Sequence, residues 1–148
     1  MRPTTRKGHA KAAVAHYKPM SKLDSDGRRL LNYLVSGLPH IDPDYLKTLF
    51  TYKQVHTALN LDRLGSTYGT SLQRQGLNSL GAWAISNKKP AITGLIIEAT
   101  TIQPGDGFFL AYHKKNADYA WWVDQIRQVK QYDWSGDLKC RRLRGPAQ

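Results

Sequence analysis

Four polar side chains could contact the edges of nucleic-acid bases if they shared one helical face. They are Ser71, Arg74, Gln75 and Asn78, and their spacings of three, one and three residues predict one exposed strip. Arg can form paired hydrogen bonds with guanine, and Asn or Gln can do so with adenine. We therefore expect this strip to contact base edges in duplex DNA. A solvated helix face without a ligand explains the same pattern equally well.

The net charge of +11 is concentrated at the two ends of the chain. Residues 1 to 23 contain six Lys and Arg residues, residues 138 to 148 contain four, and neither segment contains an acidic residue. Because a cation near a phosphate releases a condensed counterion, basic ends of this kind suit a polyanion. The cations expected to contact phosphate are Lys88, Lys89, Arg2, Arg6, Lys7, Arg141, Arg142 and Arg144. The alternative is that the basic ends only keep the protein soluble.

Hydrophobic spacing, capping residues and Gly or Pro signals define the elements that must position these side chains. The predicted helices are 26–36, a short one that begins at Pro43 after the cap Asp42, then 51–60, 70–87 and 116–132. A strand is predicted at 92–99, and Pro104 to Gly107 should form a tight turn. The fold class is therefore α+β: a mostly helical, winged-helix-like single domain at 24–137, with a small β element. Basic disordered arms at 1–23 and 138–148 flank it.

The order of these elements is typical of a winged helix-turn-helix. In that fold the second helix enters the major groove, and the β turn, or wing, contacts the DNA backbone or minor groove. Residues 51–60 and 70–87 would be the two helices, joined by the polar link "LDRLGSTYG". The main function expected is therefore non-catalytic binding of DNA, with RNA as an open alternative.

The segment 51–109 also resembles the DNA-binding part of alkylguanine DNA alkyltransferases and alkyltransferase-like proteins. The resemblance rests on "TYKQVHTALNL", the polar link and helix after it, then "KPAITGLII" and a Gly-rich turn. It implies a winged-helix fold and minor-groove DNA binding through residues 70–78. The family's alkyl acceptor is a Cys in a Pro-Cys-His-Arg motif, whereas Pro90 is followed by "AITG". Cys140 lies in the C-terminal tail, so alkyl transfer is not expected.

Other catalytic or metal chemistry has little support in the sequence. The chain contains one cysteine and one glutamate, and its five histidines lack metal-ligand spacing. We therefore expect no metal, no cofactor and no catalytic residue. A site assembled from Glu98, Asp106 and His113 is a less favoured alternative that rests on spacing alone.

A second class of function is a protein-binding module, such as a phage- or plasmid-type inhibitor or an accessory subunit of a nucleoprotein complex. On the predicted helix 116–132, Tyr119, Trp122, Val123 and Ile126 share one face, and Trp121 points elsewhere. Core packing explains most of these aromatic residues, but Trp121 could anchor a partner protein or stack on a base.

The expected compartment is the cytoplasm. No apolar run approaches the about 20 residues of a membrane span, and the N-terminal segment lacks the apolar stretch of a secretory signal. We expect no membrane partner, and the sequence leaves the oligomeric state open.

Overall fold

The computed structural model describes residues 20–114 and 118–138. Its main helices and strands are α1 (Ser25–Ser36), β1 (Phe50–Thr51), α2 (Tyr52–Ala58), α3 (Tyr68–Leu72), α4 (Asn78–Ser86), β2 (Ile96–Ile97), α5 (Asp106–Ala111) and α6 (Tyr119–Gln131). Short 3-10 turns occupy Leu38–His40, Leu46–Thr48 and Ile92–Leu95. The prediction of a mostly helical α+β domain is confirmed.

Helix α1 forms where its cap and apolar stripe predict it. The Asp24 side chain accepts a hydrogen bond from the Gly27 backbone N–H at 2.8 Å, which satisfies one free donor of the first turn. The same carboxylate accepts the Ser79 hydroxyl at 2.6 Å and so joins α1 to α4. Leu30, Leu31 and Leu34 are fully buried, so one face of α1 forms part of the core.

Helix α2 also matches its prediction, although it ends two residues early. The Thr51 hydroxyl accepts from the Gln54 backbone N–H at 3.1 Å, and the Gln54 side chain accepts from the Thr51 backbone N–H at 2.8 Å. This reciprocal pair is a capping box. The helix predicted after Asp42 is wrong, because the Asp42 carboxylate accepts the Asp44 N–H in a turn and only the 3-10 turn Leu46–Thr48 follows.

The β element differs from a wing. Strands β1 and β2 are parallel, with Phe50 opposite Ile96 and Thr51 opposite Ile97, whereas the hairpin of a wing is antiparallel. The predicted strand 92–99 is reduced to two residues by the 3-10 turn at Ile92–Leu95. The expected tight turn at Pro104 to Gly107 is also wrong, since Gly105 occupies the N-cap position of α5 and the helix begins at Asp106.

The 3-10 turn Ile92–Leu95 forms where the chain passes closely under two aromatic rings. A Cβ atom on Gly94 would lie 2.8 Å from the Phe108 ring. The buried Trp122 indole N–H donates to the Gly94 carbonyl at 2.8 Å. These contacts hold the segment against α6, and they replace the ladder that a longer strand would need.

The core lies between α1, α4, the Ile92–Ile97 segment and α6. Helix α6 begins after Asp118, whose carboxylate accepts the Trp121 N–H at 3.1 Å, and it confirms the predicted helix 116–132 within the described part of the chain. The largest fully buried side chains are Trp122, Phe109, Leu30, Leu31, Leu34, Leu72, Leu80, Ile92, Leu95, Ile96, Ile97 and Ile126.

Candidate functional site

The predicted base-contacting strip does not form, because the helix expected at 70–87 is broken at Gln75 and Gly76. Gln75 has φ −127° and ψ 41°, and Gly76 has φ +127°. A Cβ atom on Gly76 would lie 2.8 Å from the Asp26 carbonyl oxygen, so α1 can approach the break only because residue 76 is glycine. Arg74 and Asn78 therefore lie on different sides of the break.

Ser71 faces the interior instead of a ligand. It is 0% exposed, and its hydroxyl lies 2.8 Å from the His56 Nε2 and accepts the Leu64 backbone N–H at 2.8 Å. It also lies 3.2 Å from the Asp62 carbonyl oxygen. The expectation that Ser71 contacts bases is wrong, because this hydroxyl holds the loop between α2 and α3 to the core.

Gln75 has the same inward role. Its Nε2 donates to the Asp62 carbonyl at 2.8 Å and lies 3.1 Å from the Ser71 hydroxyl. His56, which sequence reasoning did not select, completes this network and packs edge-on against Tyr68 with ring centroids 5.1 Å apart. The available signal was a histidine in the last turns of the predicted helix 51–60, just before a polar link, but helical spacing alone does not show whether such a residue is buried.

Arg74 and Asn78 remain available from the predicted strip. Both are exposed, and neither side chain makes a hydrogen bond or ion pair with another residue at 20–114 or 118–138. The break between them, however, prevents the continuous four-residue face that the spacing predicted.

The two lysines expected at phosphate have different environments. Lys88 is exposed and has φ +56°. Lys89 is only 21% exposed; its Nζ donates to the Tyr132 hydroxyl at 2.8 Å and lies 3.1 Å from the Asp137 Oδ1. The hydrogen bond to Tyr132, and then the bond and charge of Asp137, outweigh desolvation and raise the pKa of Lys89. Internal partners hold the charge of Lys89, so the structure gives no support to its predicted phosphate contact, which stays a prediction.

Both ends of the described chain lie beside one cavity, which we call the terminal cavity. Its volume is about 250 Å³, and its lining includes Ser21, Lys22, Asn87, Gly136 and Asp137. Met20 is tied to the same side, because its N–H donates to the Ser86 hydroxyl at 3.0 Å and its carbonyl accepts the Asn87 side chain at 3.0 Å. Met20 to Leu23, which the sequence assigned to the N-terminal arm, therefore contact the domain.

Six of the predicted phosphate contacts lie outside the described residues. They are Arg2, Arg6, Lys7, Arg141, Arg142 and Arg144. The segments that carry them join the described chain at Met20 and Leu138, next to residues that line the terminal cavity. Lys22, which lines this cavity and is exposed, belongs to the same basic region.

Trp121 is half-buried in an aromatic cluster, so it is not the exposed side chain that the sequence suggested, and its role as a partner anchor stays a prediction. Its ring centroid lies 5.6 Å from that of Phe108 and 5.1 Å from that of Tyr112. The Lys114 ammonium lies 5.1 Å from the Trp121 ring. These contacts explain Trp121 as a bridge between α6 and the end of α5.

The less favoured catalytic site is not assembled as one cluster. Its residues, Glu98, Asp106 and His113, lie in two places. Glu98 and Asp106 line one groove of about 480 Å³, together with Tyr52, Lys53 and residues around the start of α3. His113 is not in the lining of this groove. Within residues 20–114 and 118–138, no group of three or more His, Cys, Asp or Glu side chains is placed to hold a metal ion.

Comparisons with known proteins identify no relative. No family model, curated protein or solved structure matches this chain. None of the helices in the described ranges is long and apolar enough to cross a membrane.

Proposed function

We propose that this protein is a non-catalytic nucleic-acid-binding protein whose main phosphate contacts come from its two basic terminal segments. The observation that carries this proposal is the position of the terminal cavity. The segments with six and four basic residues and no acid join the domain next to residues that line this cavity. Charges that repel one another along the chain are thereby attached to one side of the molecule, where a phosphate backbone could neutralise them together.

The cations of the domain itself also indicate that phosphate binding depends on the terminal segments. Many of them are bound internally: Arg29 donates to the Leu59 carbonyl at 2.7 Å, and Arg127 pairs with Asp44 at 2.9 Å. Lys130 donates to the Leu38 and Ile41 carbonyls. Residues 24–137 also hold nearly equal numbers of basic and acidic side chains. Phosphate affinity should therefore depend on the terminal segments more than on the domain.

Duplex DNA is the first ligand to test, with single strands and structured RNA beside it. Arg74 and Asn78 are exposed and could add base contacts. The break at Gln75 and Gly76, however, leaves no continuous helix face that could contact bases through four residues. The terminal segments alone would bind many sequences with similar affinity, because phosphate contacts do not distinguish bases.

The test compares three charge variants of the full chain by fluorescence anisotropy at two salt concentrations. One carries Arg2, Arg6 and Lys7→Gln, the second carries Arg141, Arg142 and Arg144→Gln, and the matched control carries Lys47, Lys53 and Arg127→Gln. The control cations are exposed and lie outside the terminal cavity lining. The slope of log affinity against log salt is negative. Each terminal variant should reduce its magnitude by about 3, or about one for each cation removed.

The control variant should retain most of the affinity and most of the salt slope. Equal losses in all three variants would show that net charge matters and its position does not. Unchanged binding in both terminal variants would overturn the proposal.

A further inference from the structure

The groove that contains Glu98 and Asp106 continues into a narrow slot. The groove opens between the start of α2, the start of α3 and the segment joining β2 to α5. The slot has a volume of about 30 Å³, shares Tyr52, Gln73, Gly105 and Gly107 with the groove, and adds Asn78 and Thr93. Together they form one continuous recess with a wide polar entrance.

The slot wall includes Thr93, a buried residue whose side chain has no partner among the described residues. Thr93 is only 7% exposed, and its side chain makes no hydrogen bond within the described chain. The side-chain amides of Gln73 and Asn78 also make no hydrogen bond with the described residues, and they line the same slot.

The charged side chains of the groove give it a net negative lining. Among residues 20–114 and 118–138, Glu98 and Asp106 pair with no cation, and the Glu98 carboxylate accepts one hydrogen bond, from the Thr101 hydroxyl at 3.3 Å. Lys53 is the one basic residue in the lining. Because the uncompensated carboxylates outnumber the cation, this groove favours a positively charged ligand and disfavours a phosphate.

Two glycines in the groove wall have no packing reason to be glycine. A Cβ atom on Gly107 would meet nothing within 4 Å, and one on Gly69 would have its nearest neighbours at 3.9 Å. Glycine inside a helix is less favourable than alanine by roughly 0.5–1 kcal/mol. Both positions line the groove and leave its backbone open to close approach by a ligand.

We propose that the groove and slot bind an organic cation that carries an ammonium or guanidinium group. Glu98 and Asp106 would hold the positive charge, and the oxygen atoms of Thr93, Gln73 and Asn78 would accept its N–H groups. The cation could belong to a free polyamine or to a Lys or Arg side chain of a basic peptide. This site goes beyond the proposed function, because it selects the charge opposite to that of a nucleic acid.

Isothermal titration of the full chain tests the site with two cationic probes and one anion. The probes are spermidine, a peptide with the sequence of residues 139–148, and inorganic phosphate. We expect at least one cationic probe to bind with one-to-one stoichiometry and phosphate not to compete. Binding by spermidine indicates a free polyamine as the ligand, and binding by the peptide alone indicates a basic chain segment.

Variants separate this site from general attraction to acidic side chains. The double variant Glu98→Gln, Asp106→Asn should lose at least about tenfold in affinity, because each carboxylate contributes a charge-assisted contact. Asp62→Asn, an exposed carboxylate outside the groove lining, is the matched control and should bind like the unchanged chain. Thr93→Val keeps the side-chain shape and should also weaken binding.

Gly107→Ala tests whether this glycine is needed for ligand binding and not for stability. It should weaken cation binding and at the same time raise the melting temperature, because alanine favours the helix but occupies the groove. Absence of saturable binding by both cationic probes, or equal affinity of the double variant and the Asp62→Asn control, would overturn the proposal. Nucleic-acid affinity of the double variant, measured in parallel, keeps this result separate from the terminal-segment proposal.

Discussion

The segment Ser71 to Gly76 and the segment Glu98 to Gly107 both combine polar side chains with glycine. In the first segment these residues contact the rest of the domain, whereas in the second they line an open groove. The first was predicted to face a ligand, yet the Ser71 hydroxyl and Gln75 amide bind the loop carbonyl of Asp62, and Gly76 permits contact with α1. The second leaves its carboxylates without a cation and presents Gly107 to open space. A polar or glycine residue therefore indicates a functional surface only when the fold provides it with no internal partner.

The largest expected effect follows from Gly76→Ala. The alanine would be strained at φ +127°, and its Cβ would lie 2.8 Å from the Asp26 carbonyl oxygen. We expect a loss of about 3 kcal/mol in the free energy of unfolding, measured by urea denaturation.

Gly107→Ala is the control for this comparison because it changes the same residue type where no clash exists. It should increase the free energy of unfolding by about 0.5 kcal/mol. Similar destabilisation by both variants would mean that the two glycines do not differ as the structure indicates.

A smaller loss is expected for Ser71→Ala. The change removes the acceptor of the Leu64 N–H and a neighbour of both His56 and Gln75, so several buried polar groups lose a partner. The expected loss is about 2 kcal/mol, with faster amide hydrogen exchange in residues 59–67.

Arg74→Ala serves as the neighbouring control. This residue is exposed and has no partner in the described ranges, so the free energy of unfolding should change by less than about 0.5 kcal/mol. If Arg74→Ala is as destabilising as Ser71→Ala, the inward role of the serine hydroxyl is not specific.

Among the three residues with internal contacts, Lys89 gives a smaller expected effect than Gly76 or Ser71, and its pH dependence adds a further test. Its pKa is raised in the folded protein above the ordinary value of 10.5, first by the Tyr132 hydroxyl and then by Asp137. The stabilisation is therefore complete below about pH 10 and is lost as pH rises through the higher folded pKa. Lys89→Met should lower the free energy of unfolding by about 1 kcal/mol at pH 8.

Thermal unfolding between pH 8 and 11.5 measures this dependence. The difference in melting temperature between the unchanged chain and Lys89→Met should shrink toward the alkaline end. Lys88→Met, which alters an exposed lysine without a described partner, should show no such convergence. A difference that stays constant across the range would contradict a charged role for Lys89.

Local sequence signals were sufficient for the helices whose ends are marked by caps. Asp24 caps α1, Thr51 with Gln54 caps α2, and Asp118 caps α6, and each operates through neighbours within a few residues. The apolar stripes of α1 and α6 likewise follow from helical spacing alone. The small α+β class and the uneven distribution of charge along the chain needed no tertiary information.

Tertiary structure alone decided where the polar side chains point. The break at Gly76 exists because α1 passes within contact of its backbone, and the shortened strand exists because Phe108 and Trp122 press on Gly94. It also placed the two ends of the described chain beside one cavity, and Glu98, Asp106 and Thr93 around one recess. These contacts join residues far apart in the chain, so their energies could outweigh local helix and strand preferences without leaving a signal in any short stretch of sequence.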